Sequence, residues 1–232
     1  DHLAVGTVLV NLGDLYRIQG RLGEAETLFK RGLVLHERAF GPEHASVSDD
    51  LELLGILYRG QGRYADAEPL FKRSLAIREK QFGANSRAVA NSANNLGDVY
   101  RLQRRFADAE PLYKRAIAIQ EQVLGPNHRR LGSTPVNLAD LYRLNNRLAD
   151  AQPLYERGLR IVEQSVPPDH PDISFGLTRL ALLHRARGQA AEAEPLLRRA
   201  LEIRERAMGP NHPAVAVDIS NLAYLAFSRS DW

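Results

Sequence analysis

The stretch Asn11-Leu-Gly-Asp-Leu-Tyr-Arg17 recurs along this chain of 232 residues at a constant spacing of 42 positions. Its copies begin at Leu53, Asn95, Asn137, Arg179 and Asn221, the last only partly preserved, with no residue inserted or deleted between them. A fixed period of this size is typical of stacked-repeat proteins, in which each repeat packs only against its neighbours. The spacing therefore predicts a repeat array and not a domain with one central core.

Composition excludes several classes of protein. The chain is 44% hydrophobic and 25% charged, as expected for a folded protein. Its 28 acidic residues nearly balance 31 basic ones, so the net charge of +3 is a poor argument for nucleic-acid binding. The absence of Cys excludes disulfides and thiolate metal sites. No run of about 18 apolar residues and no signal peptide is visible, so we predict a cytoplasmic protein with no membrane contact.

Each repeat divides into two helical segments, which we call segment A and segment B. In the first repeat, segment A is predicted from Leu3 to Gln19 and segment B from Gly23 to Phe40, with a turn at Gly20 and a stop at Gly41. Short connections make neighbouring helices antiparallel. We predict one domain, 1–232, with repeats at 2–43, 44–85, 86–127, 128–169 and 170–211 and a half repeat at 212–232.

The apolar residues of both segments follow helical spacing. Those expected in the core of the first repeat are Val5, Val8, Leu9, Leu12, Leu15 and Tyr16 of segment A, and Leu22, Ala25, Leu28, Phe29, Gly32, Leu33 and Leu35 of segment B. One hairpin cannot bury the apolar faces of both segments by itself, so each repeat should pack against the next.

The repeat motifs resemble the 42-residue tetratricopeptide repeats of kinesin light chains and of many bacterial proteins. The resemblance is carried by Gly62-Arg-Tyr-Ala-Asp-Ala-Glu-Pro-Leu-Phe-Lys-Arg-Ser-Leu75 and Met208-Gly-Pro-Asn-His-Pro213, together with the recurring opening motif, and covers essentially the whole chain. It implies an all-α fold, a right-handed α-solenoid of antiparallel helix hairpins with five full repeats and one half repeat, and it suggests a bacterial source. It is specific for fold and not for function.

Two departures from the repeat pattern carry structural expectations. Pro135 falls inside segment A of the fourth repeat, where it should delay the helix, with Thr134 as its N-cap, or kink it. The sixth repeat stops after segment A, which should leave Tyr224, Phe227 and Trp232 exposed. That exposed half repeat makes self-association possible.

No catalytic or metal-binding motif stands out, so we predict a protein that is not an enzyme and has no cofactor or metal. Five histidines share one slot of the period, namely His2, His44, His128, His170 and His212. Because metal ligands must converge on one point, histidines one repeat apart are better interpreted as caps or packing residues of the next segment A. Four glutamates that recur with the repeat, Glu26, Glu68, Glu110 and Glu194, are interpreted as structural. His36 and His184 are interpreted as ordinary helix residues.

The polar face of segment A is the most informative surface; it comprises Thr7, Val10, Asn11, Asp14 and Arg17 and their equivalents in later repeats. In the family that the chain resembles, this face lines a concave groove. Asn can pair with the main chain of an extended peptide and Arg with carboxylates, and Phe175 with Leu182 beside Arg179 could form an apolar pocket. The predicted groove residues are Asn11, Arg17, Arg59, Asn91, Asn94, Asn95, Arg101, Asn137, Arg143, Phe175, Arg179, Leu182 and Arg185.

Two interpretations of the arginines stay open at this stage. They can recognise a ligand, or they can be solvated or paired within the chain, as the i,i+3 pair Asp14 with Arg17 suggests. The resemblance favours a scaffold for an extended acidic or mixed peptide, since kinesin light chains bind short acidic motifs in this way. The alternatives are a structural or sensor arm of a larger regulator, or a self-assembly module. Nucleic acid is disfavoured because the Asp residues on the polar face would repel phosphate.

Overall fold

The structure is a computed structural model that describes residues 2–131 and 133–229, and these residues form α-helices and no strand. The helices are α1 His2–Ile18, α2 Leu22–Phe40, α3 Ala45–Gly60, α4 Tyr64–Phe82, α5 Arg87–Leu102, α6 Phe106–Leu124, α7 Ser133–Leu144, α8 Leu148–Glu163, α9 Pro171–Ala186, α10 Ala190–Met208 and α11 Pro213–Arg229, with a 3-10 turn at Arg129–Leu131. The predicted all-α repeat architecture is therefore confirmed, and the segment boundaries predicted for the first repeat are correct to within one residue.

The helices pack as the repeat pattern requires. Within repeats α1 packs on α2, α3 on α4, α7 on α8 and α9 on α10. Between repeats, segment B packs on the following segment A, as in α2 with α3, α4 with α5, α8 with α9 and α10 with α11. The chain forms two compact units, an N-terminal unit Asp1–Val123 and a C-terminal unit Leu124–Trp232. The single domain 1–232 stays a prediction.

At α3, α5, α9 and α11 the recurring loop residue caps the helix that follows it, which was one of the two predicted roles. His44 Nδ1 accepts a hydrogen bond from the amide of Ser46 at 3.2 Å. His170 and His212 do the same for the second residue of α9 and α11 at the same distance, and Ser86 Oγ takes this role at α5. These side chains satisfy amides that have no partner within the helix, so the histidine slot has a local structural explanation. The side chain of His2 lies outside the described residues.

Pro135 delays its helix, which was one of the two predicted outcomes. α7 begins at Ser133 and has 12 residues, against 16 in α3, α5 and α9. The prediction that Thr134 is the N-cap is wrong, because Thr134 is the second residue of the helix and is buried. Pro135 then sits in the first turn, where a helix loses no hydrogen bond by lacking an amide donor.

The prediction that the apolar residues of α1 lie in the core is wrong for one side of the helix. Val5, Val8 and Leu15 are exposed, Val8 to 62%. Their equivalents in α3 include Val47 and Leu57, which are buried because α2 packs against that side of α3. No segment B precedes α1 among the described residues, so the same face of α1 has no helix against it.

The other end of the repeat pattern also presents apolar side chains. Tyr224 and Phe227 on α11 are exposed to 59% and 67%, as predicted. Trp232 lies outside the described residues. The exposure follows from packing, because α11 contacts α10 and no segment B follows it within the described residues.

Two of the recurring glutamates, Glu26 and Glu68, link neighbouring repeats, which agrees with their predicted structural role. Glu26 on α2 accepts hydrogen bonds from Lys30, from Tyr58 Oη at 2.9 Å and from Arg63 at 2.8 Å. Glu68 repeats this arrangement one period later with Lys72, Tyr100 and Arg105. Each glutamate therefore joins its own segment B to the end of the following segment A.

Glu26→Gln is expected to weaken the N-terminal unit in a pH-dependent way. Hydrogen bonds from Lys30, Tyr58 and Arg63 lower the pKa of the Glu26 carboxyl to about 2, from an ordinary value of 4.5. A lowered pKa stabilises the fold above the ordinary value, and that contribution disappears as the pH falls towards 2. Urea unfolding should show wild type more stable than the variant by about 1 kcal/mol at pH 7, with the difference shrinking between pH 4.5 and pH 2. A difference that is equal at both pH values would contradict the role assigned to Glu26.

Candidate functional site

Only some side chains of the polar face are exposed to solvent. Asn11 and Asn91 are exposed, and the arginines of the face are half-buried. The position of Val10 is a correction to the sequence interpretation, because Val10 and its equivalents Glu52, Val136 and Thr178 are all buried. Side chains at that position pack towards segment B and are not part of the exposed polar face. Asn94, at the same position in the third repeat, is half-buried and has a partner within the chain.

In the N-terminal unit the arginines are paired within the chain. Arg17 Nε donates to Asp14 Oδ1 at 2.8 Å on the same helix. Arg59 reaches across to the next repeat, donating to Asp98 Oδ2 at 2.9 Å and to Asn95 Oδ1 at 3.3 Å. Of the two interpretations left open by the sequence, pairing within the chain is the one visible in this unit.

Asn95 belongs to a buried polar network and is not a free recognition residue. Its Nδ2 donates to Glu52 Oε2, while Glu52 Oε1 lies 3.2 Å from Arg78 Nη1. Arg78 also donates to Ser92 Oγ and to Asp49 Oδ1, each at 2.8 Å. The network joins the second repeat to the third, so substitution of Asn95 would disturb packing as well as any ligand contact.

A tyrosine from segment B holds the Asp–Arg pair in both units. In the N-terminal unit Tyr113 Oη donates to Asp98 Oδ1 at 2.6 Å and accepts from Arg101 Nε at 3.2 Å. Burial, with the nearby Asp98 carboxylate, raises the pKa of Tyr113 well above its ordinary value, so its hydroxyl stays protonated. This hydrogen bond positions the carboxylate and thereby the guanidinium.

The C-terminal unit repeats this arrangement with Asp140, Tyr155 and Arg143. Burial, with the neighbouring Asp140 carboxylate, likewise raises the pKa of Tyr155. Arg179 of the next repeat lies 3.2 Å from Asp140 Oδ2 and stacks over the Phe175 ring at 4.8 Å. Asp140 therefore serves two arginines at once.

Phe175, Leu182 and Arg185 complete the face of α9. Phe175 is exposed, Leu182 is half-buried, and Arg185 donates to Asn221 Oδ1 at 3.5 Å and lies over the Tyr224 ring at 4.7 Å. Asn137 on α7 is half-buried and has a partner within the chain. Phe175 lines a cavity with Val136 and Gly176, but Leu182 is not among its lining residues.

The balance of charge differs between the two units. On α1, α3 and α5 the polar face carries three arginines and four carboxylates. On α7 and α9 it carries three arginines, Arg143, Arg179 and Arg185, and one carboxylate, Asp140. Only the polar face of the C-terminal unit therefore has an excess of positive charge.

Buried polar pairs that sequence reasoning missed connect segment B to the following segment A. We call each pair a connector; its two residues are 14 positions apart. His36 Nδ1 lies 2.6 Å from Asp50 Oδ2, and both side chains are almost fully buried. His36 is therefore not an ordinary helix residue. Arg78 with Ser92, and Arg204 with Asp218, occupy the same two positions in later repeats. A signal was present in the sequence, because a polar residue recurs at a position of segment B that faces the core.

Two further kinds of site, namely membrane-spanning helices and metal-binding groups, would be visible in the described ranges. None of their helices is both long and apolar enough to span a membrane. Within the same ranges no group of three or more His, Asp or Glu side chains is placed to hold a metal ion.

Comparison with known proteins agrees with the geometry. A tetratricopeptide repeat family model matches residues 4–80 and 88–164, and two others of the same description match 177–214 and 52–123. No curated protein sequence matches the chain. Among solved structures, BtubC (BKLC) from P. vanneervenii is 27% identical with a TM-score of 0.75, covering 92% of this chain and 85% of that one.

A Podospora anserina protein with nearly identical TPR-like repeats of the kinesin light chain kind gives a TM-score of 0.74 at 22% identity. The match covers 90% of this chain and 98% of that one. A variant of the same protein gives a TM-score of 0.76 at 23% identity, covering 89% and 98%. Repeats of this kind generally mediate protein–protein interactions as scaffolds. The chain belongs to the tetratricopeptide repeat family, and its structural neighbours are repeat proteins of the kinesin light chain kind.

Proposed function

We propose that the chain is a non-catalytic scaffold that binds an extended peptide of a partner protein on the polar face of its segment A helices. The observation that carries the proposal is the excess of positive charge on α7 and α9, where the polar face has three arginines and a single carboxylate, Asp140, which pairs with Arg143 and Arg179. An acidic stretch of the peptide would add the missing carboxylates. Arg143, Arg179 and Arg185 are the residues that would receive them, since a guanidinium fork fits a carboxylate.

The asparagines support the same proposal because they can form hydrogen bonds with the main chain of the peptide. Asn11 and Asn91 are exposed on the polar face of the N-terminal unit. Each amide offers both donors and acceptors, and an extended backbone offers the complementary groups. Because positive and negative groups are nearly balanced there, this unit favours a neutral segment. The proposal is thus a mixed peptide, acidic where it meets the C-terminal unit.

The test is binding of a fluorescent peptide of alternating Glu and Ser, followed by anisotropy. Replacing Arg143, Arg179 and Arg185 with Gln should weaken binding by about 10- to 100-fold, because each lost ion pair is worth about 0.5–1 kcal/mol. Binding by wild type should also weaken at high salt, which screens the pairs. A matched control replaces Arg198, Arg199 and Arg206, three exposed arginines of α10, and should leave affinity unchanged. Equal losses in both variants would show non-specific attraction and would refute the site.

A second role is favoured by one observation in the C-terminal unit. Ile219 and Leu222 on α11 line a largely apolar cavity of about 530 Å³, and the same helix also exposes Tyr224 and Phe227. We propose, as the alternative, that this half repeat serves self-association or docking within a larger regulator. Light scattering over a range of concentrations separates a monomer from a self-associating species.

A further inference from the structure

One joint of the C-terminal unit lacks a connector. At the two connector positions between the fourth and fifth repeats, the chain has Val162 and Gly176. The next joint carries Arg204 and Asp218, whose side chains form a buried ion pair. Valine is smaller than arginine and leaves space on the side of segment B, while at Gly176 a Cβ would lie 3.0 Å from Leu159 Cδ1, so glycine lets α9 pack close to α8 there.

A cavity of about 280 Å³ occupies this place. It is lined by Arg129, Ser133, Val136, Gly158, Val162, Asp172, Phe175 and Gly176. The late start of α7 contributes, because Arg129 belongs to a 3-10 turn where the other full segment A helices have begun. The cavity therefore has two causes in the sequence, namely the small connector residues and Pro135.

The walls are apolar and the rim is neutral. Val136 and Gly176 are buried, and Val162 closes the side formed by segment B. At the rim, Arg129 Nη2 and Asp172 Oδ2 pair with each other at 3.2 Å. A neutral rim over an apolar interior does not attract a charged group, and an uncharged apolar group would release water from both surfaces.

The volume limits the size of the occupant. An apolar protein cavity of roughly 150 Å³ holds benzene, and sites for drug-sized molecules begin at roughly 300 Å³. A cavity of about 280 Å³ is therefore suited to one large side chain and too small for an extended ligand.

We propose that this cavity binds a single uncharged apolar side chain of the peptide that lies along the polar face of the C-terminal unit. The placement follows from the mouth, where Ser133 and Phe175 are both exposed polar-face residues, at the position that Asn91 takes in α5. The identity of the occupant as part of a peptide rests on the function proposed above. The fit of an apolar side chain to the cavity is independent of it and can be tested alone.

The direct test uses N-acetyl-leucinamide and N-acetyl-phenylalaninamide as probes in nitrogen–proton NMR spectra of the whole chain. Both should shift the backbone amide signals of Gly158 and Gly176 saturably, with dissociation constants in the millimolar range, while N-acetyl-glycinamide should not. Shifts of equal size with the glycine probe, or none with the apolar probes, would overturn the proposal.

Two variants close the cavity in different ways. Val162→Arg with Gly176→Asp reproduces the connector of the next joint. Val162→Phe fills the space from segment B and leaves Gly176 intact, which avoids placing a Cβ 3.0 Å from Leu159 Cδ1. Either should weaken probe binding by more than tenfold, whereas Val217→Phe, at an exposed position of α11, should not. Retention of probe binding in a folded, cavity-filled variant would also overturn the proposal.

The two proposals fail in different ways. If the triple arginine variant keeps its affinity for the acidic peptide while the leucine probe still shifts Gly158, the peptide groove is refuted and the cavity stands. If the probes do not bind but the arginine variant loses the peptide, the groove stands and the cavity is refuted.

Discussion

Arg78→Met should destabilise the N-terminal unit by about 3–5 kcal/mol, because it leaves a buried carboxylate without its counter-charge. Arg78 and Glu52 are both almost fully buried, and their closest nitrogen and oxygen lie 3.2 Å apart. Methionine preserves most of the apolar length of the side chain, so the expected loss comes from the unpaired charge and not from a large void.

The measurement is urea unfolding with hydrogen exchange to locate the loss, since repeat arrays need not unfold as one unit. Protection should fall first in α3, α4 and α5, which the network joins. Arg73→Met on the same helix is the control, because the Arg73 side chain is 40% exposed, against 11% for Arg78, and its pair with Glu37 should contribute less than about 1 kcal/mol.

A double substitution separates the effect of the unpaired buried charge from the effect of the lost arginine side chain. Glu52→Gln keeps an acceptor oxygen for Ser74 and Ser92 and removes the carboxylate, although it loses the hydrogen bond from Asn95 Nδ2. Arg78→Met combined with Glu52→Gln should therefore be more stable than Arg78→Met alone. If the double variant loses the sum of the two single losses, the two residues are not coupled and the network has been misassigned.

The network shows where sequence reasoning worked and where it stopped. The period of 42 residues fixed the hairpins and the capping residues, because these depend on local spacing and local hydrogen bonds. Asn95 was interpreted as a groove residue because helical spacing places it beside Asn91. Its hydrogen bond to Glu52 connects side chains 43 positions apart, and that contact depends on how neighbouring repeats pack and not on the spacing within one helix.

The connectors were within reach of the sequence but needed a different comparison. Aligning each repeat with the next places His36 at the same position as Arg78 and Arg204, which shows only that the residue type at this position varies. Comparing each segment B with the segment A that follows it pairs His36 with Asp50, and Arg204 with Asp218, and the side chains of each pair are complementary. The charge excess on α7 and α9 was also visible in the sequence. The pairing of these arginines with Asp140 was not visible, because one carboxylate can contact both Arg143 and Arg179 only where α7 and α9 lie side by side.

Arg204→Met should release α11 from the C-terminal unit. Asp218 is fully buried. Its Oδ1 pairs with Arg204 and accepts a weak hydrogen bond from Thr178 Oγ1 at 3.4 Å. Its Oδ2 has no hydrogen-bond donor within the described residues. Removing the guanidinium leaves a buried carboxylate with almost no compensation, which costs about 3–5 kcal/mol.

The observable loss should be confined to one helix, because α11 packs on α10 and no segment B follows it within the part of the chain that the structure describes. Helix α11 can open alone at lower cost than keeping Asp218 buried and unpaired, so hydrogen exchange should show loss of protection in α11 while α7 to α9 keep theirs. Arg206→Met, two residues away and exposed, should leave α11 protected. Asp218→Asn added to Arg204→Met should restore part of the protection by removing the charge. Uniform loss across the unit would instead mean that the connector stabilises all the repeats together, and that α11 is not a separately opening element.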